Sequence, residues 1–227
     1  RGPKQRRKGI VWSANFAYAV GLITSDGNLS PDGRHFTFVS KDLEQIKNIK
    51  KCLGITAQEH QRPYGKDWNT PLYYRLQWGD VTLYDFLLSI GLTANKSLTL
   101  SALTIPDEYF FDFFRGHLDG DGCFYSYFDP RYPSSFMFYL TIVSGSQAHI
   151  FWIQNTLSRL IWVRGHITSN KKHQHITQLK YAKRESEILL NKIYEKPRAV
   201  CLKRKKLKIV AALRIVGKSL PRKKKST

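Results

Sequence analysis

The feature that most constrains this chain is an internal repeat. Residues 17–27, AYAVGLITSDG, recur as residues 112–122, DFFRGHLDGDG. Both segments are largely apolar, carry a glycine at their fifth position and end in Asp-Gly. A repeat of this kind indicates a chain built from two similar units, and it carries more weight than any local signal. Each unit then places one carboxylate at the end of one apolar helix.

The composition indicates a globular protein with a polyanionic partner. Hydrophobic residues make up 42% of the 227 residues and aromatic residues 13%, which is enough for a substantial core. The net charge of +20 exceeds what solubility requires and favours a partner such as nucleic acid. An acidic membrane surface also fits this charge. However, no apolar run approaches the roughly 18 residues of a spanning helix, so we expect no membrane partner.

The cysteines favour a reducing compartment. Cys52, Cys123 and Cys201 are far apart and form no C-x-x-C pair, which predicts reduced core thiols in an intracellular protein of a bacterial cytoplasm or an organelle matrix. No signal peptide is visible. The chain begins at Arg1 rather than at methionine, which suggests processing or trimming.

Hydrophobic periodicity predicts the same order of elements after each motif: helix, two strands, helix, two strands, helix. Four antiparallel strands with helices on one face form an α+β unit whose other face is free to meet a partner. The predicted helices are 14–26, 41–53, 81–90, 108–121, 146–160, 184–193 and 199–214, and the predicted strands are 28–30, 34–40, 58–62, 72–78, 123–127, 136–143, 163–169 and 175–181. The predicted organisation is a basic N-terminal arm (1–10), a first repeat (11–92), a linker (93–106), a second repeat (107–214) and a basic tail (215–227).

The two motif copies resemble the LAGLIDADG motif. Over about residues 11–214 the chain is similar to single-chain, two-repeat LAGLIDADG homing endonucleases. The resemblance implies two pseudo-symmetric αββαββα repeats, with the motif helices packed together and the two sheets forming a saddle over the DNA major groove. It also implies an intron-encoded, monomeric enzyme that hydrolyses phosphodiester bonds and makes a double-strand break in a long asymmetric DNA target.

In this family the acid before the closing glycine of each motif binds a divalent metal at the scissile phosphate. Those positions are Asp26 and Asp121 here, and Ser25 and Gly120, which precede them, complete the predicted metal site. Carboxylates at helix C-termini are disfavoured by the helix dipole, and two close carboxylates repel each other. A shared cation relieves both effects, and Mg²⁺ suits oxygen ligands. Ca²⁺ or Mn²⁺ could substitute in the site.

Further residues follow from the motif and from the resemblance. Gly21 and Gly116 occupy the same motif position and would let two helices approach closely. The family also places a basic residue late in each repeat, which corresponds to Lys96 and Lys205, with Lys203 as the alternate. These lysines are predicted catalytic residues together with the two acids, because a cation stabilises charge that develops on phosphate. For Lys205 a solvated basic run is an equal alternative.

The position after the second strand of each repeat is Ser40 or Ser144. In the family a polar side chain there orders active-site water. Serine is also a common helix N-cap, and we favour the N-cap interpretation for both residues.

Strand alternation predicts which residues contact DNA, since polar side chains recur on one face of each sheet. Glutamine and arginine read adenine and guanine edges, whereas lysine mostly meets phosphate. For any single residue a solvated sheet face is the alternative. The predicted DNA-binding residues are Asn28, Ser30, Arg34, His35, Thr37, Gln58, His60, Arg62, Lys66, Arg75 and Gln77 in the first repeat, and Tyr125, Tyr127, Arg131, Tyr139, Thr141, Arg164, His166, Thr168, Lys172, Gln178 and Lys180 in the second.

Two other functions fit the same resemblance. The chain could be an RNA maturase that assists splicing of its host intron, in which case intron RNA would be a partner. It could also be a non-cleaving DNA-binding protein on this fold, which we expect to lose one acid and to gain a helix-turn-helix extension. The presence of both acids favours cleavage.

Overall fold

The computed structural model describes residues 9–63, 72–169 and 176–221, and these form an α+β protein with two compact units. The first unit comprises Arg1–Lys96 and Leu103–Gly120, and the second comprises Ser97–Ala102 and Asp121–Thr227. The second motif helix therefore packs within the first unit.

The first unit contains four helices and one sheet among its described residues. Its strands are antiparallel and follow the order β1-β2-β4-β3. The elements are α1 (Ala14–Asp26), β1 (Gly27–Leu29), β2 (His35–Ser40), α2 (Leu43–Leu53), β3 (Glu59–Pro63), β4 (Leu72–Gly79), α3 (Val81–Ser89) and α4 (Asp107–Gly120).

The core of the first unit lies between one face of this sheet and the helices. Phe36 and Phe38 of β2 are buried, and the Phe36 ring stacks on that of Trp78 with centroids 5.0 Å apart. Helix α2 turns Ile46 and Ile49 toward the core. The side chains that alternate with these apolar residues along β2 and β4 lie on the opposite, open face of the sheet.

The second unit repeats this architecture. Its described strands are antiparallel in the order β5-β6-β8-β7, which is the order of the first sheet. Helices α5 and α6 contact strands β6 and β8. The elements are β5 (Cys123–Asp129), β6 (Tyr132–Ser144), α5 (Gln147–Ile161), β7 (His166–Ser169), β8 (Thr177–Tyr181), α6 (Lys183–Ile193) and α7 (Lys203–Ile215).

The predicted order of elements is confirmed in both halves, and the differences concern element ends. Strand β6 begins at Tyr132 rather than at 136. Its pairing with β5 is irregular here, since Phe128 pairs with Phe136 and the next residue, Asp129, pairs with Tyr132. The strand therefore continues past Pro133. Helix α7 begins at Lys203 rather than at 199, since the preceding Leu202 is buried in an extended conformation.

The expectation of three core thiols is wrong for one cysteine. All three cysteines lie in the described part of the chain and none forms a disulfide. Cys52 and Cys201 are partly buried, whereas Cys123 is exposed. Strand alternation explains the difference, because Phe124 takes the core face of β5 and Cys123 therefore lies on the open face.

Candidate active centres and nucleic-acid interface

The two motif helices, α1 and α4, pack closely at a pair of glycines in the first unit. A Cβ built on Gly21 would lie 2.0 Å from the backbone oxygen of Phe113, and one built on Gly116 would lie 2.0 Å from that of Tyr18. No side chain larger than hydrogen fits at either position without moving a helix. The structure therefore places both predicted interface glycines in the helix contact.

The first candidate acid lies at the end of this helix pair. Asp26 is the last residue of α1 and is partly exposed. Gly120, the last residue of α4, lies directly against it, because a Cβ built there would come within 2.9 Å of the Asp26 Oδ2 and 1.9 Å of the Ser25 Oγ. The structure thus brings Asp26, Ser25 and Gly120 together. Asp121, which follows Gly120 in the chain, is exposed.

A buried glutamine that the sequence interpretation missed holds the carboxylate of Asp26. The Gln45 Nε2 donates to the Asp26 Oδ2 at 3.0 Å and to the backbone oxygen of Asp119 at 3.3 Å. The Gln45 Oε1 accepts a hydrogen bond of 2.6 Å from the Ser40 hydroxyl. Gln45 is only 3% exposed. One signal was available, since Gln45 lies four residues before Ile49 and therefore on the apolar face of α2.

Asp119, a further acid of the second motif, lies inside the helix contact. Asp119 is 1% exposed, and its Oδ2 accepts a hydrogen bond of 2.8 Å from the Tyr18 hydroxyl. The Asn48 amide in turn donates to this hydroxyl at 3.4 Å. The bond between Tyr18 and Asp119 links helix α1 to helix α4, and the Asp119 carboxylate is buried away from solvent.

A lysine reaches the residue after each candidate acid. The Lys96 Nζ donates to the backbone oxygen of Gly27, which follows Asp26, and Lys96 is only 8% exposed. In the second unit the Lys205 Nζ donates to the backbone oxygen of Gly122 at 2.7 Å. Lys203, the alternate residue, is exposed on the first turn of α7. The same contact therefore occurs once in each unit. In each unit it holds a lysine ammonium group against the residue that follows the acid.

The donor set near Asp26 fits a hard cation such as Mg²⁺. Carboxylate, hydroxyl and carbonyl oxygens are the ligands that Mg²⁺ prefers, and it is usually bound through one or two carboxylates with water and phosphate completing the shell. The side-chain-free Gly120 keeps space beside the Asp26 Oδ2 that a Cβ would fill. Across residues 9–63, 72–169 and 176–221, no group of three or more His, Cys, Asp or Glu side chains is placed to hold a metal by itself.

The N-cap interpretation of Ser40 and Ser144 is wrong. Helix α2 has Asp42 at its N-cap, and helix α5 has Ser146, whose hydroxyl accepts from the His149 amide. The hydroxyls of Ser40 and Ser144 instead accept from the backbone N–H two residues further on, at 3.0 and 3.1 Å. Both serines therefore shape the turn between strand and helix, and Ser40 additionally holds Gln45.

The open face of the first sheet carries most of the predicted DNA contacts of that unit. The register pairs Thr37 of β2 with both Asn28 of β1 and Gln77 of β4, and it pairs Arg75 of β4 with His60 of β3. The Gln77 Nε2 donates to the Thr37 hydroxyl at 3.2 Å. This polar face consists of Asn28, His35, Thr37, His60, Arg62, Arg75 and Gln77, together with Val39 and Tyr73.

The open face of the second sheet is more aromatic. The register pairs Tyr125 of β5 with Tyr139 of β6, and Thr141 of β6 with Lys180 of β8. Thr141 is only 3% exposed and its hydroxyl donates to the Cys123 carbonyl at 3.2 Å. Among the predicted contacts within the described residues, it has the smallest exposed fraction. The predicted residues on this face are Tyr125, Tyr127, Tyr139, Thr141, His166, Thr168, Gln178 and Lys180.

The remaining predicted contacts lie beside the strands. Ser30 and Arg34 flank the β1–β2 turn, Gln58 precedes β3, Arg131 lies in the β5–β6 turn and Arg164 precedes β7. Lys66 and Lys172 lie outside the described residues, as do most of the basic N-terminal arm and residues 222–227 of the tail.

Side-chain hydrogen bonds hold two of the hairpin turns. A hydrogen bond from the His35 ring, assisted by the backbone N–H groups of His35 and Arg34, lowers the pKa of Asp32 to about 2. At the β5–β6 turn, the Arg131 guanidinium donates to both oxygens of Asp129 at 3.2 Å and lowers the pKa of that carboxyl. These hydrogen bonds therefore hold the side chains of His35 and Arg131 in defined positions at the ends of the two open faces.

Solved structures with a similar fold include LAGLIDADG homing endonucleases. I-WcaI bound to its DNA recognition sequence superposes with a TM-score of 0.60 at 13% identity, over 87% of this chain and 86% of that protein. The I-LtrWI LAGLIDADG homing endonuclease bound to target DNA superposes with a TM-score of 0.54 at 11% identity, over 86% and 87% of the two chains. This chain has the LAGLIDADG fold. At these identities the likeness shows the fold alone.

The LAGLIDADG fold also occurs in a protein that is not named as an endonuclease. Full-length DUF199/WhiA from Thermatoga maritima superposes with a TM-score of 0.54 at 14% identity, over 92% of this chain and 62% of that one. No family model matches the sequence. The search of curated proteins finds no match either. Among the described residues, none of the helices has the length and apolarity needed to cross a bilayer.

Proposed function

We propose that this chain is a site-specific DNA endonuclease that makes a double-strand break in a long target by metal-dependent hydrolysis of phosphodiester bonds. The observation that carries the proposal is that one arrangement occurs twice. Asp26 and Asp121 each precede a glycine whose carbonyl accepts a hydrogen bond from a lysine, which is Lys96 in the first unit and Lys205 in the second. These lysines lie 69 and 83 residues from their partners in sequence, so local sequence alone does not account for the coincidence.

In this proposal each acid and each lysine has a separate role. Asp26 and Asp121 would each contribute a carboxylate ligand to Mg²⁺, or to Ca²⁺ or Mn²⁺ in its place, with water and phosphate oxygens of the DNA completing the shell. Such a metal would supply activation of the attacking water and stabilisation of the leaving oxygen. Lys96 and Lys205 place positive charge close to the phosphate on which negative charge develops during hydrolysis.

The choice of double-stranded DNA rests on the two open faces and on the charge. A strand residue such as Arg75 or Gln77 keeps a fixed position on its sheet, as reading of base edges requires. The net charge of +20 supplies phosphate contacts that carry no sequence information. The matched I-WcaI and I-LtrWI structures contain DNA, which supports the same partner here. Because one chain carries both acids and both sheets, we propose that it acts as a monomer.

A non-cleaving DNA-binding protein is the second candidate, because WhiA, which is not named as an endonuclease, has a similar fold. The fold by itself does not distinguish the two functions. The two lysine contacts favour cleavage, since they place positive charge beside each motif acid, where charge develops on the phosphate during hydrolysis.

The test is cleavage by single-acid variants. A target is first obtained by selecting cleaved sequences from a randomised plasmid library in the presence of Mg²⁺. Asp26→Asn and Asp121→Asn should each bind this target about as well as the unmodified chain and should fail to linearise the plasmid. Asp85→Asn, which removes one carboxylate from an exposed position of α3, is the matched control and should linearise it normally.

Two results would contradict the proposal. Linear product from both Asp26→Asn and Asp121→Asn would show that these acids are not the metal ligands. Specific binding without any cleavage by the unmodified chain, in Mg²⁺ or Mn²⁺, would establish the non-cleaving alternative.

A further inference from the structure

The registers of the two sheets identify equivalent positions on the two open faces. In the first unit Asn28 pairs with Thr37, which pairs with Gln77. In the second unit Cys123 pairs with Thr141, which pairs with Lys180. Both series start two residues after the motif acid, so they occupy the same places in the two units.

The chemistry at these equivalent positions differs. Two residues further from the motif acid, Ser30, which lies just beyond β1 and bonds the His35 backbone, corresponds to Tyr125. His35 of β2 corresponds to Tyr139 of β6. The first face thus offers side chains that donate and accept hydrogen bonds. The second face offers phenol rings at the same places.

The phenol rings of the second face form an ordered layer with one lysine packed on it. We call this group the tyrosine layer, and it consists of Tyr125, Tyr127, Tyr139 and Lys180. The Tyr125 and Tyr139 rings stack with centroids 5.2 Å apart, and the Tyr127 and Tyr139 rings stack at 6.2 Å. The Lys180 Nζ lies 3.9 Å from the centroid of Tyr139 and 5.5 Å from that of Tyr125. A hydrogen bond with the Tyr127 hydroxyl raises the pKa of Tyr139.

The tyrosine layer is not part of the core. The core face of this sheet is formed by Phe124, Phe138 and Leu140, which alternate with the tyrosines. Tyr127 is 41% exposed, and Tyr125 and Tyr139 are partly exposed. An ordered set of aromatic rings on the outer face of a sheet indicates a surface that binds a partner with apolar groups.

Thymine is the base whose major-groove edge carries a methyl group, and aromatic and other apolar side chains contact it there. Stacked and hydrogen-bonded rings are already ordered, so contact with them costs little side-chain entropy. The first face, with Gln77 and Arg75, carries the residue types that make bidentate contacts to adenine and guanine.

We propose that the second unit selects a thymine-rich half-site through contacts of Tyr125 and Tyr139 with thymine methyl groups, whereas the first unit reads its half-site by hydrogen bonds. This proposal rests on the sequence-specific DNA binding proposed above. It predicts a target whose two halves differ in thymine content. It also predicts that removing the thymine methyl groups weakens binding more in one half than in the other.

The experiment begins with duplexes selected from a random library by the full chain in Ca²⁺. The half-site belonging to each unit is assigned from variants, since Gln77→Ala should change preference in one half and Tyr139→Ala in the other. Deoxyuridine then replaces thymine in one half at a time, which removes the methyl group and keeps the pairing. We expect binding to weaken about 3- to 5-fold for each contacted thymine in the half assigned to Tyr139, and to change little in the other half.

Matched variants separate the rings from general effects on the sheet. Tyr139→Phe keeps the ring and should keep the sensitivity to deoxyuridine, whereas Tyr139→Ala should lose it. Tyr132→Ala removes a 65% exposed ring from the β5–β6 hairpin outside the tyrosine layer and should leave the sensitivity unchanged. Circular dichroism and thermal unfolding establish that each variant is folded.

The outcomes distinguish this proposal from the function on which it rests. A selected site that responds equally to deoxyuridine in both halves, or in neither, overturns the proposed thymine contacts and leaves sequence-specific binding intact. Failure to select any sequence overturns the proposed function and this inference with it.

Discussion

The side-chain amide of Gln45 donates a hydrogen bond of 3.0 Å to the carboxylate of Asp26. Because the same amide donates to the backbone of Asp119 and its carbonyl is held by Ser40, the orientation of Gln45 is determined at both ends. A carboxylate with one oxygen fixed in this way presents its remaining lone pairs in a defined direction. Partners of a metal-binding side chain typically contribute 10- to 100-fold to metal affinity or activity.

Replacement of Gln45 by leucine is expected to reduce cleavage about 10- to 100-fold while DNA binding is retained. The half-maximal Mg²⁺ concentration for cleavage should rise, which loss of packing alone would not cause. Asn48→Leu is the matched control, because Asn48 lies one turn further along α2 and contacts Tyr18 rather than Asp26. An unchanged Mg²⁺ requirement in Gln45→Leu would show that Gln45 does not position the acid.

The order of elements and the two open faces could be predicted from the sequence because they depend on periodicity. Phe36 and Phe38 alternate with His35 and Thr37, and this alternation alone places the two pairs on opposite faces of β2. The resemblance to the LAGLIDADG family located both lysines, since the family places a basic residue late in each repeat.

The Gln45 contact and the tyrosine layer could not be predicted in the same way. A glutamine in a helix rich in lysine resembles a solvated residue until the helix is placed against the end of α1. Alternation predicted that Tyr125 and Tyr139 share a face, but their stacking depends on the β5–β6 register, which the sequence does not state.

Replacement of Gly21 by alanine should destabilise the first unit. By helix propensity alone the change would stabilise α1 by about 1 kcal/mol. The added Cβ would instead lie 2.0 Å from the backbone oxygen of Phe113 and 2.7 Å from the backbone nitrogen of His117, which are not free to move. Thermal or denaturant unfolding measures whether Gly21→Ala raises or lowers the free energy of unfolding. An increase would show that the helices are not in contact at this glycine.

Removing one partner of the ion pair between Asp112 and Arg115 of α4 should lower the free energy of unfolding more than replacing both partners with apolar residues. The Arg115 Nη2 donates to the Asp112 Oδ1 at 2.7 Å, and Arg115 is 2% exposed and lies over the Tyr18 ring. Arg115→Met leaves a buried carboxylate and should lower the free energy of unfolding by about 3 to 5 kcal/mol. The double variant with Asp112→Leu should recover a large part of that loss, and a strictly additive double-mutant cycle would contradict the coupling.

The pH dependence of stability should carry a contribution from His149 in the second unit. Burial lowers the pKa of His149 to about 4, and its Nδ1 donates to the backbone oxygen of Ser101 at 3.0 Å. Its place in the first turn of α5 also disfavours a positive charge. Since the folded-state pKa lies below the ordinary value of 6.5, the unfolded chain takes up the proton first as the pH falls.

The free energy of unfolding should therefore be fully maintained above about pH 6.5 and should decrease as the pH falls toward 4, by up to about 3 kcal/mol from this residue. His149→Asn keeps a donor for Ser101 and removes the titration. We expect this variant to be less stable at pH 7 but to lose less stability between pH 6.5 and 4 than the unmodified chain. Urea unfolding at several pH values measures both slopes, and equal slopes would show that His149 is not buried in its neutral form.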